Sequence, residues 1–540
     1  MPRYQYAPFA YQKPPELDGA KPSGAPVIIV GAGPVGLAAA IDCALHGVRC
    51  IVLDDNNVVS IGSRAICWSK RTLEIFDRLG VGERMVEKGV TWKVGRLFHR
   101  DREVWSFDLL PEAGHKMPAF INLQQYYAEQ YLVERAADFP DLIELRWNNK
   151  VTGLERRDDG VTVEIETPDG AYSLQAEWLI ACDGARSPLR TMLGLDFEGR
   201  IFEERFLIAD VEMKADFPSE RWFWFEPTFH PGQSALLHKQ PDDIYRIDLQ
   251  LGWDADPEEE KKPENVIPRI EKVLGHSHFE LDWVSVYTFQ CRRLARFVHG
   301  RVVFAGDSAH IVSPFGARGG NGGIQDTDNL IWKLAAVLRG EAPESLIETY
   351  DEERTHGADE NILNSARATS FMTPKSEMEK VFREAVLDLA GDHDFARRLV
   401  NSGRLSRPCS LAGMPLQTPS SETADITPGE AMPDAPVANG SAENGWLLSH
   451  FGGRFAVMAV DADLPAGMPD GVEQVSVTSD ASRRTNDGSV LFDVEGLVAA
   501  RYGRGHVYLV RPDQHIAARF RDPTADEISA ALERAAGRLQ

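Results

Sequence analysis

Cysteine is scarce in this chain. Six cysteines are spread over 540 residues, at positions 43, 50, 67, 182, 291 and 409, and they form neither a CxxC pair nor a metal-ligand spacing. This pattern argues against a disulfide framework and against a metal centre, and three of the six lie inside apolar segments, which is typical of small core residues in a reducing compartment. We therefore expect a cytoplasmic protein that binds no metal.

Positive charge and long apolar runs are also in short supply. The chain has 58 Lys and Arg against 82 Asp and Glu, which gives a net charge of −24. This excess of negative charge opposes binding to nucleic acid or to an anionic membrane. No apolar run reaches spanning length, and the Pro-rich, polar N-terminus does not resemble a signal peptide. We expect neither nucleic acid nor a membrane as a partner.

Two glycine-rich turns stand out instead. The first lies in VIIVGAGPVGLAAAIDCALHGVRCIVLDD, which predicts a strand, a glycine turn, a helix and a second strand that ends in an acid. Three glycines in this spacing permit a tight turn, the approach of a pyrophosphate to the helix N-terminus, and packing of helix on strand, while an acid about twenty residues later suits ribose hydroxyls. The residues of this dinucleotide-binding pattern are Gly31, Gly33, Pro34, Gly36 and Asp54.

The second turn lies in RVVFAGDSAHIVSPFGARGGNGGIQDTDNLIWKLAAVL, Arg301 to Leu338. An apolar strand ends at Gly306, so that Asp307 is a carboxylate at the exit of a strand. Apolar positions at helical spacing follow from Asn321, and the glycines before them expose backbone N–H groups at a helix start that favours negative charge. A tight turn followed by an ordinary capped helix explains this segment equally well when it is taken alone.

A third block, EWLIACDGARSPLR, lies between the other two. It predicts an apolar strand that runs into Asp183, followed by Arg186 and Arg190. In this order and at these separations, the three blocks resemble the single-component flavoprotein aromatic hydroxylases, the family that includes p-hydroxybenzoate hydroxylase and phenol hydroxylase. The resemblance covers roughly residues 27 to 400. It implies FAD as the bound cofactor and NAD(P)H as the electron donor.

The resemblance also assigns positions to the cofactor. It implies that the first block holds the ADP half of FAD, that Asp183 lies near the pyrophosphate and nicotinamide, and that Asp307 and the backbone of Gly320–Gly323 hold the ribityl chain and the flavin O2 edge. Smaller matches put an arginine beside the pyrophosphate, a glutamine against the flavin chain and a proline beside the ring, although a surface arginine and a capping amide are equally good readings of the first two. The expected FAD-binding residues are Gly31, Gly33, Pro34, Gly36, Asp54, Arg64, Gln124, Asp183, Asp307, Pro314, Gly320, Asn321, Gly322 and Gly323.

Residues 202–290 have a different character. Short apolar and polar alternation with turn residues between predicts an antiparallel sheet, which by family resemblance covers the substrate. The expected substrate-binding residues are Trp222, Trp224, His238, Tyr245 and Arg246, with Asp248 as a further lining candidate. A phenol must lose its proton to react, so we expect His238 or Tyr245 to act as base or relay, with Pro314 shaping the reaction site. Because alternation sends half of any strand to the other face, each could instead be a packed residue.

The predicted fold class is α/β. We expect an N-terminal arm (1–25), a discontinuous Rossmann-like FAD-binding domain (26–201 and 291–403), an inserted antiparallel β-sheet substrate domain (202–290), a linker (404–444) and a C-terminal thioredoxin-like α/β domain (445–540), as in the phenol hydroxylase branch. No cysteine follows position 409, which excludes thiol–disulfide exchange in that last domain. Its expected role is structural, with contact between the subunits of a homodimer as one form of it.

The implied reaction has two parts. NAD(P)H reduces FAD, and dioxygen then adds to the reduced ring as a C4a-hydroperoxide, which passes one oxygen to a phenolic aromatic substrate. Three alternatives stay open: a flavin oxidase or reductase on the same fold, a non-enzymatic FAD-binding sensor, and a halogenase, whose WxWxIP motif is nearly matched by WFWFEP. The identity of the aromatic substrate and the choice between NADH and NADPH also stay open.

Overall fold

Five β-sheets and their covering helices form the protein in the computed structural model, which describes residues 4–19, 24–252, 254–400, 405, 407–420, 426–439, 443–483, 485 and 489–539. The strands of the described residues are, in chain order, β1 (Val27–Val30), β2 (Cys50–Leu53), β3 (Cys67–Ser69), β4 (Val90–Trp92), β5 (Val94–His99), β6 (Arg102–Asp108), β7 (Phe120–Asn122), β8 (Ile143–Arg146), β9 (Lys150–Arg157), β10 (Gly160–Thr167), β11 (Gly170–Ala176), β12 (Trp178–Ala181), β13 (Glu198–Glu212), β14 (Arg221–Phe225), β15 (Ser234–Lys239), β16 (Ile244–Leu251), β17 (Glu280–Arg293), β18 (Val298–His299), β19 (Val302–Phe304), β20 (His310–Ile311), β21 (Pro436–Asn439), β22 (Glu443–Trp446), β23 (Ala456–Val460), β24 (Glu473–Thr478), β25 (Val490–Asp493), β26 (His506–Val510) and β27 (Ile516–Phe520).

Helices cover these sheets. They are α1 (Pro34–Leu45), α2 (Lys70–Arg78), α3 (Gly82–Lys88), α4 (Gln125–Ala136), α5 (Pro188–Met192), α6 (Pro257–Glu260), α7 (Pro263–Leu274), α8 (Gly319–Leu338), α9 (Leu346–Met372), α10 (Glu377–Ala390), α11 (Asp394–Val400), α12 (Leu497–Tyr502) and α13 (Ala525–Ala535). In the part of the chain that the structure describes, no helix is both long and apolar enough to cross a membrane.

The first sheet has the order β18-β19-β12-β1-β2-β8, and β1 pairs in parallel with both β2 and β12. All four residues of β1 are buried, because helices and loops cover both faces, as the continuous apolar run predicts. In such a sheet the carboxyl ends of the strands form the edge at which ligands bind. Gly31, Asp54, Asp183 and Ala305 follow β1, β2, β12 and β19, so the three sequence blocks meet at this one edge.

The second sheet has eight strands in the order β20-β17-β13-β16-β15-β14-β5-β6. It extends beyond the predicted boundaries of 202–290, because β14 pairs in parallel with β5 and β5 pairs with β6. The residues of β5 and β6 had been grouped with the FAD-binding domain. Alternation alone could not show this, since it does not say which strand lies beside which.

The C-terminal unit is a mixed seven-stranded sheet, ordered β22-β21-β25-β24-β23-β26-β27, with α12 and α13 packed on it. The central strands β23, β24 and β25 are parallel, and β26 and β27 form an antiparallel pair. The α/β fold class with a C-terminal α/β domain is confirmed. The unit begins earlier than predicted, because β21 lies inside the expected linker and pairs with β25.

The described part of the N-terminal arm lies along the first sheet. Phe9 stacks on Trp147 with ring centroids 4.5 Å apart, and the Tyr6 hydroxyl accepts a hydrogen bond from the Gly62 N–H at 3.1 Å. Farther along, the buried Arg146 guanidinium forms an ion pair with Glu16 at 3.0 Å. The arm therefore packs on its own chain, next to the loop that contains Arg64.

Candidate active site

The turn after β1 is built from glycine for steric reasons. Gly31 has φ +106°, and a Cβ there would lie 2.4 Å from the Cys182 carbonyl oxygen; a Cβ on Gly36 would lie 1.9 Å from the Gly31 carbonyl oxygen. Gly33 differs, because no atom lies within 4 Å of the position that its Cβ would take. The first and third glycines thus permit close packing, and the second leaves open space at the N-terminus of α1, where a phosphate would be stabilised.

Asp54 faces this turn from the end of β2. Its Oδ2 accepts a hydrogen bond from the Ala32 N–H at 2.6 Å, and its Oδ1 accepts one from the Asn56 N–H at 2.8 Å. Burial raises the pKa of this carboxyl, while the two N–H donors oppose the increase. The carboxylate is therefore held firmly beside the glycine turn, in a position that suits the hydroxyls of a ribose.

The second glycine turn touches the first. Gly306 has φ +65°, and a Cβ there would lie 3.0 Å from Val35 Cγ2; a Cβ on Gly323 would lie 2.7 Å from the same atom. Helices α1 and α8 therefore start side by side. No side chain caps the start of α8, so the first N–H groups of the helix are left for water or for a ligand.

Asp307 follows Gly306 in the second turn and lies beside the start of α8, because a Cβ on Gly319 would lie 3.9 Å from its Oδ1. Its side chain is solvent-accessible, yet the surrounding protein desolvates it and raises its pKa, with His310 and Arg64 acting in the opposite direction. The pKa of nearby Tyr287 is raised to about 12, chiefly by burial and next by the Asp307 charge. An accessible carboxylate in a desolvating cleft favours a ligand that donates hydroxyl hydrogen bonds, as the ribityl chain of FAD does.

A buried network supports the Asp307 turn from below. Asp326 Oδ2 accepts hydrogen bonds from His310 Nε2 at 2.7 Å and from the Gly306 N–H at 2.9 Å, and Asp326 Oδ1 accepts one from Arg354 Nε at 2.7 Å. Burial alone would raise the pKa of Asp326, but His310 and Arg354 hold it at about 2. The sequence reasoning missed this network; the signal available to it was an aspartate on the core-facing side of α8.

Two predicted cofactor residues use their side chains elsewhere. Gln124 Nε2 donates to the Pro241 carbonyl oxygen at 3.1 Å, and Asn321 joins α8 to β3, because its Oδ1 accepts from the Ser69 N–H at 2.9 Å. Only the backbone of Asn321 is left to face a flavin. The neighbouring Gln125 contacts the Arg64 loop instead, since its Oε1 accepts from the Ala65 N–H at 3.1 Å. The role of Gln124 at the flavin chain stays a prediction.

The remaining predicted cofactor residues surround the same cleft. Asp183 Oδ2 accepts from Ser187 Oγ at 2.8 Å and from the Leu189 N–H at 3.0 Å, which fixes the turn after β12. Arg64 is exposed beside the cleft, and Pro314 is exposed at the start of a short turn that precedes α8. Their contacts with FAD stay predictions.

The eight-stranded sheet separates the predicted substrate residues into two groups. His238 lies opposite Arg246 in the ladder, and Asp248 is on the same side of β16 as Arg246. Trp222, Trp224 and Tyr245 lie on the other face, where they pack in the apolar cluster that also contains Val266 and Ile270 of α7. Of the six candidates, Trp222, Trp224 and Tyr245 are therefore corrected to packed residues of the opposite face, an alternative that strand alternation had left open for each of them. The prediction of alternating strands was correct, but the sequence did not show which alternate residues would face the FAD-binding domain.

The polar face of this sheet points toward the FAD-binding domain. Arg246 pairs with Asp210 through Nε and Nη2, each at 2.8 Å from a carboxylate oxygen, and its Nη2 also donates to the Ser63 carbonyl oxygen. The Trp92 ring lies 6.3 Å from the ring of His238 and stacks on Phe120 at 4.8 Å. His238 and Arg246 therefore lie between this sheet and the strands β4 and β7, close to the Arg64 loop, and we call this largely buried region the pocket.

The titratable groups of the pocket are strongly perturbed. Burial holds the pKa of His238 well below its usual value, with help from the charges of Arg221 and Arg246, so the imidazole is neutral. Burial also raises the pKa of Asp248 to about 6, and that of the Cys67 thiol to about 11. Perturbed groups gathered in one cleft are typical of a binding or reaction site.

Comparisons with known proteins agree with this geometry. Residues 24–365 match the family model described as FAD binding domain. The chain is 28% identical over 375 residues to 3-(3-hydroxy-phenyl)propionate/3-hydroxycinnamic acid hydroxylase of Mycolicibacterium smegmatis, with 68% of this chain and 64% of that relative covered. It is 34% identical over 348 residues to a flavin-dependent monooxygenase of Mycobacteroides abscessus, with 61% of this chain and 70% of the relative covered.

A solved structure extends the similarity in fold to nearly the whole chain. The structure of the flavin-dependent monooxygenase PieE, in complex with FAD and substrate, has a TM-score of 0.78 at 22% identity and covers 96% of this chain and 100% of its own. The match includes the FAD-binding part, the inserted sheet and the C-terminal unit. The chain belongs to the FAD-binding domain family of single-component, flavin-dependent aromatic hydroxylases.

Proposed function

We propose that this protein hydroxylates a phenolic aromatic compound, with NAD(P)H as reductant and dioxygen as oxygen donor. The observation that carries the proposal is the position of Asp307. Its accessible carboxylate lies beside the start of α8, since a Cβ on Gly319 would lie 3.9 Å from Asp307 Oδ1, and its charge acts on Tyr287. Tyr287 belongs to the same sheet that forms the wall of the pocket. A cofactor cleft and a substrate pocket that meet at one point are what an oxygen transfer requires.

The residues of the cleft fit FAD. The open space at Gly33 and the N-terminus of α1 suit the pyrophosphate, and the fixed carboxylate of Asp54 suits the adenosine ribose. Asp307 suits the ribityl hydroxyls, and the uncapped N-terminus of α8 suits negative charge on the reduced ring. FAD, when bound and reduced by a nicotinamide, would supply the electrons that activate dioxygen.

The pocket residues would bind the substrate and keep water out. The stacked Trp92 and Phe120 provide an apolar wall, and Arg246 is neutralised by Asp210 and anchored to the Arg64 loop. His238 is neutral, and of its two ring nitrogens only Nδ1 is enclosed without a partner, so Nε2 is the atom that can accept a hydrogen bond or relay a proton. Of the two bases expected from the sequence, only His238 is retained in the proposal. The Tyr245 hydroxyl donates to the Ala215 carbonyl oxygen on the far face.

The test is a coupled assay on the FAD-loaded protein. NADH and NADPH oxidation is followed with and without a panel of phenols, while hydroxylated product and hydrogen peroxide are both quantified. The proposal predicts that at least one phenol accelerates oxidation and yields product in proportion to the nicotinamide consumed. Peroxide without product would favour an oxidase or reductase, and a rate that no aromatic changes would favour an FAD-binding sensor.

Two further parts of the proposal rest on the family resemblance. We propose a homodimer with the C-terminal unit in a structural role, and a cytoplasmic location, where NAD(P)H is available. Light scattering of the purified protein across a concentration series tests the first. A mass that stays that of one 60.0 kDa chain would contradict it.

A further inference from the structure

One buried cation in the pocket has no partner. Arg221, the first residue of β14, is 8% exposed, and its side chain makes neither an ion pair nor a hydrogen bond with any residue that the structure describes. Burial lowers the pKa of its guanidinium, which means that desolvation of the charge is not fully offset. Charged groups buried to this degree are normally paired, because an uncompensated charge costs several kcal/mol.

The nitrogens of Arg221 are not sealed in the interior. Fully enclosed, unpaired side-chain atoms are found next to it, namely His238 Nδ1 and Asp248 Oδ1, but no nitrogen of Arg221 is among them. The guanidinium nitrogens therefore retain some accessible surface, and Arg221 lies on the same face of the sheet as His238. A ligand entering the pocket can reach it.

The register of the sheet brings Arg221, His238, Arg246 and Asp248 to one face. Arg221 lies opposite His238 on β15, and His238 lies opposite Arg246 on β16, with Asp248 two positions farther along the same strand. Neighbouring strands are about 4.8 Å apart, so Arg221 and Asp248 lie on opposite sides of a space only two strands wide. Each affects the pKa of the other, yet they form no ion pair.

None of the titratable groups around Arg221 fully neutralises its charge. Arg246 is neutralised by Asp210 at 2.8 Å, and His238 is neutral. Asp248 is only partly neutralising, because its own pKa is near 6 and it is not in contact with Arg221. The pocket thus offers a desolvated guanidinium on one side and a carboxyl acceptor on the other.

We infer that Arg221 binds an anionic oxygen of the aromatic substrate, a carboxylate or a phenolate, while Asp248 accepts a hydrogen bond from a hydroxyl at the other end of the ring. This inference rests on the proposed function and adds the substrate class to it. A guanidinium is the group best suited to a carboxylate in a desolvated site, since it can donate two parallel hydrogen bonds.

The test measures binding to the oxidised, FAD-loaded enzyme without NAD(P)H, through changes in flavin absorbance. Two pairs of probes separate the two anions: 3-hydroxyphenylpropionate against its methyl ester for a carboxylate, and 4-nitrophenol against 4-nitroanisole for a phenolate. We expect the anionic member of one pair to bind about ten- to a hundredfold more tightly than its neutral analogue. The pair that shows the preference identifies the anion.

Three variants assign the preference to the residue. Arg221→Met should abolish the preference, and Arg221→Lys should keep part of it. The matched control is Arg102→Met, which removes an arginine 67% exposed on β6 of the same sheet and should leave binding unchanged. Because Arg221 is unpaired, Arg221→Met should leave the melting temperature of the ligand-free protein unchanged or raise it, and should not alter FAD affinity. A preference that survives Arg221→Met, or a drop in melting temperature without a loss of preference, overturns the inference.

Failure of the inference and failure of the proposed function give different results. Equal turnover of neutral and anionic aromatics by the wild type and by Arg221→Met overturns the inference and leaves the hydroxylase proposal intact. Anion-selective binding that depends on Arg221, without hydroxylation of any probe, supports the inference and counts against the hydroxylase proposal.

Discussion

At Gly33 the space beside the Cα is open, whereas at Gly31 it is filled by the Cys182 carbonyl group. We predict that Gly33→Ala folds normally but binds FAD about tenfold or more weakly, because the added methyl group occupies the space that a phosphate would take. Gly31→Ala should lose stability as well, since its φ is positive and its Cβ would overlap backbone. Thermal unfolding and FAD fluorescence titration separate the two effects. Gly391→Ala, at a helix end with open space and ordinary φ, is the control. Equal FAD affinity of Gly33→Ala and the wild type would contradict the prediction.

The raised pKa of Asp248 predicts that the stability of the protein falls as the pH rises. Its pKa is about 6 in the folded protein, against about 3.9 in an unfolded chain, so the native state loses stability as the pH rises from about 4 to about 6, and the loss is complete above that. The groups that face it are Arg246, Arg221, Asp210 and His238. Asp248→Asn should therefore be more stable than the wild type at pH 8, by about 1–3 kcal/mol, and the gap should shrink toward pH 5, where the wild-type carboxyl is protonated.

Urea unfolding at both pH values measures this gap. Asp196→Asn, at a carboxylate 90% exposed, is the matched control and should show no pH-dependent gain. A stability difference for Asp248→Asn that is the same at pH 5 and pH 8 would rule out this role for the carboxyl.

The positions of residues that closely follow a predicted strand could be predicted from the sequence. Gly31 and Asp54 directly follow β1 and β2, and Asp307 lies three residues after β19, so the ends of the predicted strands locate all three near the carboxyl edge of the sheet. The contacts of residues whose partners lie far away in the chain could not be predicted. The phase of alternation in β14 and β16 put Trp222 and Tyr245 on the covered face, and the lack of a partner for Arg221 is a tertiary property that no local pattern reveals.

Among the elements, α8 carries most of the cofactor cleft, and Asp326 connects it to the Gly306 turn. We predict that Asp326→Asn destabilises the protein by about 3–5 kcal/mol, because it leaves the buried Arg354 without a charge partner. FAD should also bind more weakly, since the turn loses its support. The pKa of Asp326 is held at about 2, so the stability it provides is complete above about pH 4 and is lost as the pH falls toward 2.

Urea unfolding and FAD titration at neutral pH check the Asp326 prediction. The control is Asp359→Asn, which breaks the ion pair of an exposed carboxylate with Arg293 and should cost no more than about 1 kcal/mol. Losses of equal size in the two variants would show that the buried network has no special role.

The N-terminal arm makes a separate prediction, because Tyr6 accepts the Gly62 N–H and so holds the loop before Arg64. Tyr6→Phe leaves that donor without its partner, at a cost of about 0.5–1.5 kcal/mol. We expect faster hydrogen exchange in residues 60–64 and faster release of FAD. Tyr11→Phe, which removes a hydrogen bond to Thr167 farther along the arm, is the control and should change neither rate. Unchanged exchange at residues 60–64 would mean that the arm does not hold the loop.

For the whole molecule, the sequence predicted the kinds of unit but not their limits. The order of the glycine blocks predicted the FAD-binding sheet, and the short strands after Gly445 predicted a C-terminal α/β unit. The β5–β14 pair and the β21–β25 pair crossed the predicted boundaries, because strand partners far apart in sequence are chosen by packing and not by local pattern.

The C-terminal unit is held to the FAD-binding part by buried charges. Arg511, which follows β26, is fully buried; its Nη1 lies 2.6 Å from Glu353 Oε1 of α9, and its Nη2 lies 2.6 Å from Asp513 Oδ2. Lys333 of α8 contacts the same Glu353 carboxylate at 2.8 Å. Removal of one member of such a network leaves uncompensated charge in the interior, which is more costly than replacement of the whole set by neutral groups.

We therefore predict that Arg511→Met destabilises the protein by about 3–5 kcal/mol and exposes the C-terminal unit to protease, while Arg511→Met combined with Asp513→Asn, which keeps the Lys333–Glu353 pair, recovers part of that stability. Urea unfolding and limited proteolysis measure both effects. Arg454→Met, which removes an exposed arginine 3.7 Å from Glu473 within the same unit, is the control and should behave as the wild type. If the double variant is no more stable than the single one, the cost of Arg511→Met comes from lost packing and not from unpaired charge, and the two units are joined mainly by apolar contact.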